Sequence, residues 1–143
     1  MSAIDQALTM LDGCGPEFGG GLSNHGPMAA EALIRLGRPE LVERWVERYR
    51  VRLGERPSVV SAIDPAKWRE ALGDLRRVTD WEAFFARELD AAPWAEVLER
   101  WVPRLAPGIM AGATHGLIRT AHAVRSLAGG ETVERRTEFV AGL

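Results

Sequence analysis

The three histidines are the residues of this sequence with the widest chemical use, and they stand at positions 25, 115 and 122. The last two lie in the stretch GIMAGATHGLIRTAHAVRSLA (108–128), with Arg119 between them. At about 100° per residue, positions 115, 119 and 122 share one face of a helix over two turns. We predict that this stretch is a buried helix, so its imidazoles and guanidinium need partners from the fold or from a functional site.

The spacing of His115 and His122 argues against one metal ion held by both. Seven residues of helix separate them by about 10 Å along the axis, whereas helical chelation uses i, i+3 or i, i+4 pairs. At most one of the two is therefore expected to be a metal ligand. The sequence also has no H-E-x-x-H motif, no E-x-x-H motif of the di-iron bundles and no Walker loop. A site in this chain would have to be assembled from separate segments.

Each of the candidate residues has a structural reading beside the functional one. His25, in LSNHGPM, stands at a predicted helix start, where it serves either as a ligand or base or as a cap of its own helix. His115 is either a satisfied core histidine or a ligand. Arg119 suits an anionic oxygen of a substrate or a structural ion pair with a glutamate. The residues alone leave these alternatives open.

The segments that carry these residues predict an all-α fold, a single domain over residues 1–143 with about seven or eight helices and no repeat architecture. Apolar residues recur with helical period, and Gly or Pro ends most segments. The predicted helices cover residues 2–12, 27–36, 39–53, 64–73, 79–92, 93–105, 108–128 and 132–143. The glycine-rich stretch 13–26 is predicted to be irregular, because so many glycines make a regular element costly.

Two sequences fit the pattern of a capping box. In the first, Ser2 is followed three residues later by Asp5, and in the second Thr79 is followed by Glu82. Asp64 and Pro65 form an N-cap and first-turn arrangement that predicts the start of another helix.

Composition narrows the class of protein. The 143 residues are 46% hydrophobic and 27% charged, with a net charge of −2 and a pI near 5.9. These values are ordinary for a globular protein and do not favour nucleic acid or an anionic membrane as a partner. Cys14 is the only cysteine, which excludes an internal disulfide and a thiolate zinc cluster. With no signal-peptide pattern and no apolar run long enough to span a bilayer, we expect a cytoplasmic protein.

Two blocks of sequence resemble the questin oxidase-like family. They are GGLSNHGPMAAEALIRLGRPELVERWVERYR and THGLIRTAHAVR, joined by PWAEVLERWVPRLAPG. The resemblance runs over essentially the whole chain, and its most specific parts are N-H-G-P-M and PRLAPG…THGLIR. It implies an oxidoreductase, since fungal relatives are associated with a Baeyer–Villiger-like opening of anthraquinone-type polyketide rings supported by NADPH. The substrate implied is a small aromatic or polycyclic molecule.

The resemblance also implies a cofactor and its ligands. A mononuclear non-haem iron held by several histidines is implied, with His25 and His115 as metal ligands because each falls within a matching block. Arg119 and His122, on the same helix as His115, are the supporting residues expected to be catalytic, and His122 is the weaker candidate for a metal ligand because fungal members vary at its position. The chain has no flavin fingerprint, and NADPH remains a possible cosubstrate.

Family members are longer than this chain, which ends at EFVAGL. The expectation is therefore either a truncated protein, whose other metal ligands and packing surface lie elsewhere, or a short relative with an incomplete site. Exposed apolar surface would then favour self-association.

The alternative function is a non-catalytic helical module that binds an apolar ligand or partner protein, with structural histidines. Five aromatic residues line an apolar pocket or form core: Trp81, Phe84, Phe85, Trp94 and Trp101.

Overall fold

Helices make up most of the secondary structure in the computed structural model, which describes all residues from 1 to 143. This confirms the all-α prediction, to which the structure adds one small sheet and no repeat. The helices are α1 (Ala3–Leu11), α2 (Gly26–Arg35), α3 (Val42–Arg50), α4 (Val78–Ala91), α5 (Trp94–Leu105), α6 (His115–Ala128) and α7 (Val133–Gly142). The strands are β1 (Cys14–Phe18), β2 (Leu22–Ser23) and β3 (Leu53–Glu55). None of the helices is long and apolar enough to cross a membrane.

The first of two compact units comprises residues 1–55 and 109–143. Helix α1 packs against α2, α3 and α7, while α6 packs against α7 and α2. One core cluster joins the first three helices through Ala7, Leu11, Ala30, Val42 and Val46. The start of α1 has the predicted capping box between Ser2 and Asp5, and Asp5 also binds Arg135 of α7 at 2.7 Å. This unit contains all three histidines.

The second unit, residues 56–108, contains α4 and α5 and is built around aromatic side chains. Trp101 makes edge-to-face contacts with Trp68, Phe84 and Phe85, and all four are buried. The indole N–H of Trp101 donates to Glu88 at 2.8 Å, so burial leaves no polar group unsatisfied there. Four of the five aromatic residues named from sequence thus pack on one another: Trp81, Phe84, Phe85 and Trp101.

The prediction that residues 13–26 are irregular is wrong. Strand β1 lies between β2 and β3, and both neighbours are antiparallel to it. Gly15 permits a close approach, since a Cβ there would lie 2.5 Å from the carbonyl oxygen of Glu55. The pairing with β3 is irregular between Cys14 and Phe18. That interval contains Pro16, which has no N–H for the ladder and made a central strand hard to predict.

The predicted helix over residues 108–128 is also wrong in its first third. The chain makes short 3₁₀ turns at Ala106–Gly108 and Ala111–Thr114, and α6 begins only at His115. The early part of α6 is not buried, because Leu117 and Ile118 are 49% and 42% exposed. Only its later part, with the fully buried His122, belongs to the core.

Other helix boundaries also differ from the predictions. The helix predicted over residues 39–53 begins as a 3₁₀ turn at Pro39–Leu41 and ends at Arg50, and Leu53 lies in β3. In place of a helix over residues 64–73 the chain forms a 3₁₀ turn at Trp68–Ala71, and the Asp64 carboxylate accepts a hydrogen bond from the backbone N–H of Ala66 in a local turn. Thr79 does not cap α4, because its hydroxyl donates to the carbonyl oxygen of Pro57. Asp74 caps the 3₁₀ turn Leu75–Arg77 that precedes α4, and its side chain accepts from the backbone N–H of Arg76 at 3.0 Å.

Candidate functional site

His25 and His115, ninety residues apart in sequence, meet through their ring nitrogens. The two Nε2 atoms are 3.0 Å apart, and the rings are nearly perpendicular with centroids 4.8 Å apart. His25 is exposed and His115 is half-buried. We call these two residues the histidine pair.

The other nitrogen of each ring is already engaged by a backbone carbonyl. Nδ1 of His25 lies 2.6 Å from the oxygen of Ser23, and Nδ1 of His115 lies 2.5 Å from the oxygen of Gly112. A carbonyl oxygen only accepts, so each Nδ1 must carry its proton. In neutral rings both Nε2 atoms then present lone pairs to each other. Two lone pairs at this distance require a cation between them, either a shared proton or a metal ion.

The β-sheet and the start of α2 position His25. Ser23, whose carbonyl orients the ring, pairs with Glu17 across the sheet. Asn24 is buried, and its side-chain oxygen accepts from the backbone N–H of Gly26 at 2.8 Å, which satisfies the first N–H of the helix. His25 makes no cap bond through its side chain, so the structure leaves its Nε2 free of the capping role considered above.

A left-handed turn positions His115 at the start of α6. Gly112, Ala113 and Thr114 all have positive φ angles of 57°, 51° and 66°. For Ala and Thr this conformation costs about 1–2 kcal/mol per residue, so surrounding contacts must hold it. The turn brings the carbonyl of Gly112 back onto the ring of His115. Backbone strain is thus concentrated next to the histidine pair.

The donor set of the histidine pair fits two ligands of one metal ion. Two metal–nitrogen bonds of about 2.1 Å that meet at a right angle place their nitrogens about 3 Å apart. Hydrogen bonds from Nδ1–H to carbonyls are the usual support of histidine ligands. No group of three or more His, Cys, Asp or Glu side chains is arranged to hold a metal, so the pair supplies two ligands.

A second polar cluster joins α2 and α6 about two turns further along both helices. The Glu31 carboxylate accepts from Nδ1 of His122 at 2.8 Å and from two guanidinium nitrogens of Arg125 at 2.8 Å each. Arg35 donates to the same carboxylate at 2.9 Å. The histidine pair joins the beginnings of α2 and α6, and this second cluster joins later positions of both helices. The two helices therefore run in the same direction. We call Glu31, His122, Arg125 and Arg35 the Glu31 cluster.

The electrostatics of the Glu31 cluster favour the ionised carboxylate. The hydrogen bonds from Arg125 lower the pKa of Glu31 most; burial opposes them, and His122 and Arg35 lower it further, to about 2. An ionised carboxylate is acceptor only, so Nδ1 of His122 carries the proton. Its Nε2 is buried and has no hydrogen-bond partner. A buried nitrogen without a hydrogen-bond partner lowers folding stability by about 1–3 kcal/mol. This cost makes Nε2 of His122 a candidate functional atom.

Arg119 does not join either group of histidines. Its guanidinium makes a two-pronged ion pair with Glu138 of α7, at 2.7 and 2.8 Å. Both side chains are largely buried. This is the structural ion pair with a glutamate that the sequence left open beside an anion-binding role.

Two contributors to the site were missed from sequence. Glu31 is the only acidic residue of α2, and a lone carboxylate among apolar residues was the signal that could have identified it. Tyr49, whose hydroxyl accepts from the backbone N–H of His25 at 2.8 Å, gave no signal because α3 presents it as one more apolar-face residue.

Exposed apolar residues lie close to the histidine pair along the chain. Met110 is 74% exposed, and Leu22, Ile109, Leu117 and Ile118 are also exposed. Single exposed apolar residues are common, and these five lie within six residues of His25 or His115 in the sequence.

Fold and site together define a helical protein with a surface histidine pair at the starts of two parallel helices. The sequence profile described as Questin oxidase-like matches residues 22–126, which include both histidines of the pair and the whole Glu31 cluster. The chain therefore belongs to the questin oxidase-like family, a family of oxidoreductase type. Comparisons with curated proteins and with solved structures gave no match.

Proposed function

We propose that this protein is an oxygen-dependent oxidoreductase that acts on an aromatic polyketide or quinone-like substrate at a non-haem iron bound by His25 and His115. The observation that carries the proposal is the pair of Nε2 lone pairs 3.0 Å apart, with both Nδ1 protons fixed on backbone carbonyls. When bound, the iron supplies the one-electron chemistry that lets dioxygen react with an organic molecule.

The residues of this chain would contribute binding and orientation. Ser23 and Gly112 hold the imidazole planes through their carbonyls, which fixes the direction of both lone pairs. The exposed side chains of Met110 and Leu117, which flank His115 in the sequence, would offer apolar surface on which a planar substrate loses water on binding. Two protein ligands leave further coordination positions for water, substrate or other donors.

A direct test measures oxygen consumption by iron-loaded protein. Protein loaded anaerobically with ferrous iron, desalted and mixed with a hydroxyanthraquinone in aerated buffer should consume dioxygen, while zinc-loaded protein should not. Insertion of both oxygen atoms into the substrate requires no other reductant. Insertion of one atom with reduction of the second to water requires two electrons from NADPH. Product mass and NADPH oxidation distinguish the two reactions, and equal oxygen uptake by iron- and zinc-loaded protein would refute the proposal.

His122 is proposed as a proton acceptor, because Glu31 fixes its Nδ1–H and leaves Nε2 unpartnered in the interior. In His122→Asn the side-chain amide lies near the position of Nδ1 and can still donate to Glu31. In His122→Gln the amide lies near the position of Nε2. We expect His122→Asn to keep iron retention and most of the stability but to lose at least about a hundredfold in turnover, the lower end of the range for loss of an acid–base group. Turnover of His122→Asn equal to the wild type would assign His122 a structural role.

Arg119 receives no step in the proposed reaction. Its guanidinium is committed to Glu138, and both side chains are removed from most of the solvent. The ion pair joins α6 to α7 and thereby supports the helix that begins with His115.

A further inference from the structure

We propose that Tyr49 is a positioning residue for His25, an inference that rests on the proposed metal site and names a residue that sets its affinity. The backbone N–H of His25 donates to the Tyr49 hydroxyl oxygen at 2.8 Å. This bond connects α3 to the turn before α2, where the ligand histidine stands. It is the contact from outside the turn that fixes the backbone of this residue.

The Tyr49 ring is itself held on two sides. It stacks on Trp45, with centroids 4.7 Å apart and planes 16° from parallel, and it meets Phe18 of β1 edge-to-face at 5.8 Å. Trp45 and Tyr49 pack against the core cluster of the first unit. A hydroxyl on a ring with such neighbours is a fixed point, because aromatic side chains have only two rotatable torsions to restrict.

Tyr49 completes the set of hydrogen bonds around His25. The carbonyl of Ser23 orients the imidazole ring of His25, and the Tyr49 hydroxyl accepts from the His25 backbone N–H. The next backbone N–H, that of Gly26, donates to the side chain of Asn24. His25 is exposed, so without the hydroxyl a water molecule can satisfy its N–H at little cost in stability. A water molecule does not hold the turn in place, however. The expected loss is therefore in the geometry of the histidine pair and much less in the fold.

Tyr49→Phe removes the hydroxyl and preserves the contacts with Trp45 and Phe18. We expect this variant to bind Co²⁺ about tenfold more weakly, with an altered visible absorption spectrum of the bound ion, since supports of metal ligands contribute about 10- to 100-fold in affinity. Amide hydrogen exchange at His25 should become faster, while the melting temperature changes little.

Thr120→Val is the matched control. It removes a hydrogen bond from α6 to the carbonyl of Gly142, 2.6 Å long, without touching His25, so it loses stability and should keep Co²⁺ affinity. In a His25→Ala background, Tyr49→Phe should have no further effect on Co²⁺ binding, because Tyr49 acts through His25.

The outcomes separate the two proposals. Wild-type protein that fails to bind Co²⁺ refutes the metal site and with it the role of Tyr49. Wild-type binding that Tyr49→Phe leaves unchanged, or weakens no more than Thr120→Val does, refutes the positioning role alone and leaves the metal site standing.

Discussion

His25→Ala and His115→Ala should each lower the affinity for ferrous iron or Co²⁺ by at least about a hundredfold, because each removes one of the two imidazole ligands, a larger loss than that of a residue supporting a ligand. The loss should be similar for both variants, since the Nε2 atoms face each other symmetrically across 3.0 Å. Isothermal titration with Co²⁺ measures the affinity, and metal analysis after desalting measures retention.

Because the side chains of His25 and His115 are at least partly exposed, a loss of metal binding in these variants should not result from a loss of folding. His25 is exposed and His115 half-buried, so neither alanine variant opens a large cavity. His122→Asn serves as the control with the third histidine, because its Nε2 lies outside the histidine pair and metal affinity should persist. If the His25 and His115 variants bound metal as well as the wild type, the pair would be a proton-sharing contact only.

Glu31→Gln should lower the free energy of unfolding by about 1–2 kcal/mol at pH 7, less than the cost of breaking a fully buried ion pair, because Glu31 is largely buried but Arg125 and Arg35 are exposed. The substitution removes the charge that binds the two guanidinium groups and the buried His122. Urea denaturation measures the loss. Glu40→Gln is the matched control, since Glu40 also accepts from an arginine but both partners are exposed, and we expect a change of at most about 0.5 kcal/mol.

The difference between wild type and Glu31→Gln should depend on pH. The pKa of Glu31 is lowered from 4.5 to about 2, chiefly by Arg125, so the carboxylate contributes its full stabilisation above about pH 4.5. This contribution is lost as pH falls from about 4.5 to about 2, where the two proteins should converge. A difference that stayed constant down to pH 2 would mean that the charge of Glu31 does not stabilise the fold.

The sequence predicted the helical class because period, caps and breakers act locally. The capping box at Ser2 and Asp5 is an example, since all its atoms lie within one turn. The small sheet could not be predicted in the same way, because Pro16 stands in its central strand and the pairing partner β3 lies beyond two helices. Thr79 likewise bonds to a distant carbonyl, that of Pro57, instead of capping its own helix.

The candidate site was predicted only in part for the same reason. Helical spacing argued against His115 and His122 as one chelate, and the structure places their side chains in separate clusters. Spacing could not indicate that His25 would face His115, since this depends on the left-handed turn at Gly112–Thr114 and on the sheet. The pairing of Arg119 with Glu138 depends on how α6 meets α7, which periodicity does not specify.

The most direct test of the metal site is anomalous diffraction from crystals of the protein grown with Co²⁺ or ferrous iron, with data collected on both sides of the metal absorption edge. We predict one anomalous peak about 2.1 Å from Nε2 of His25 and from Nε2 of His115, with both Nδ1 atoms still on the carbonyls of Ser23 and Gly112. Absence of a peak at the pair, with the two Nε2 atoms still in direct contact, would contradict the proposal that His25 and His115 bind a metal ion.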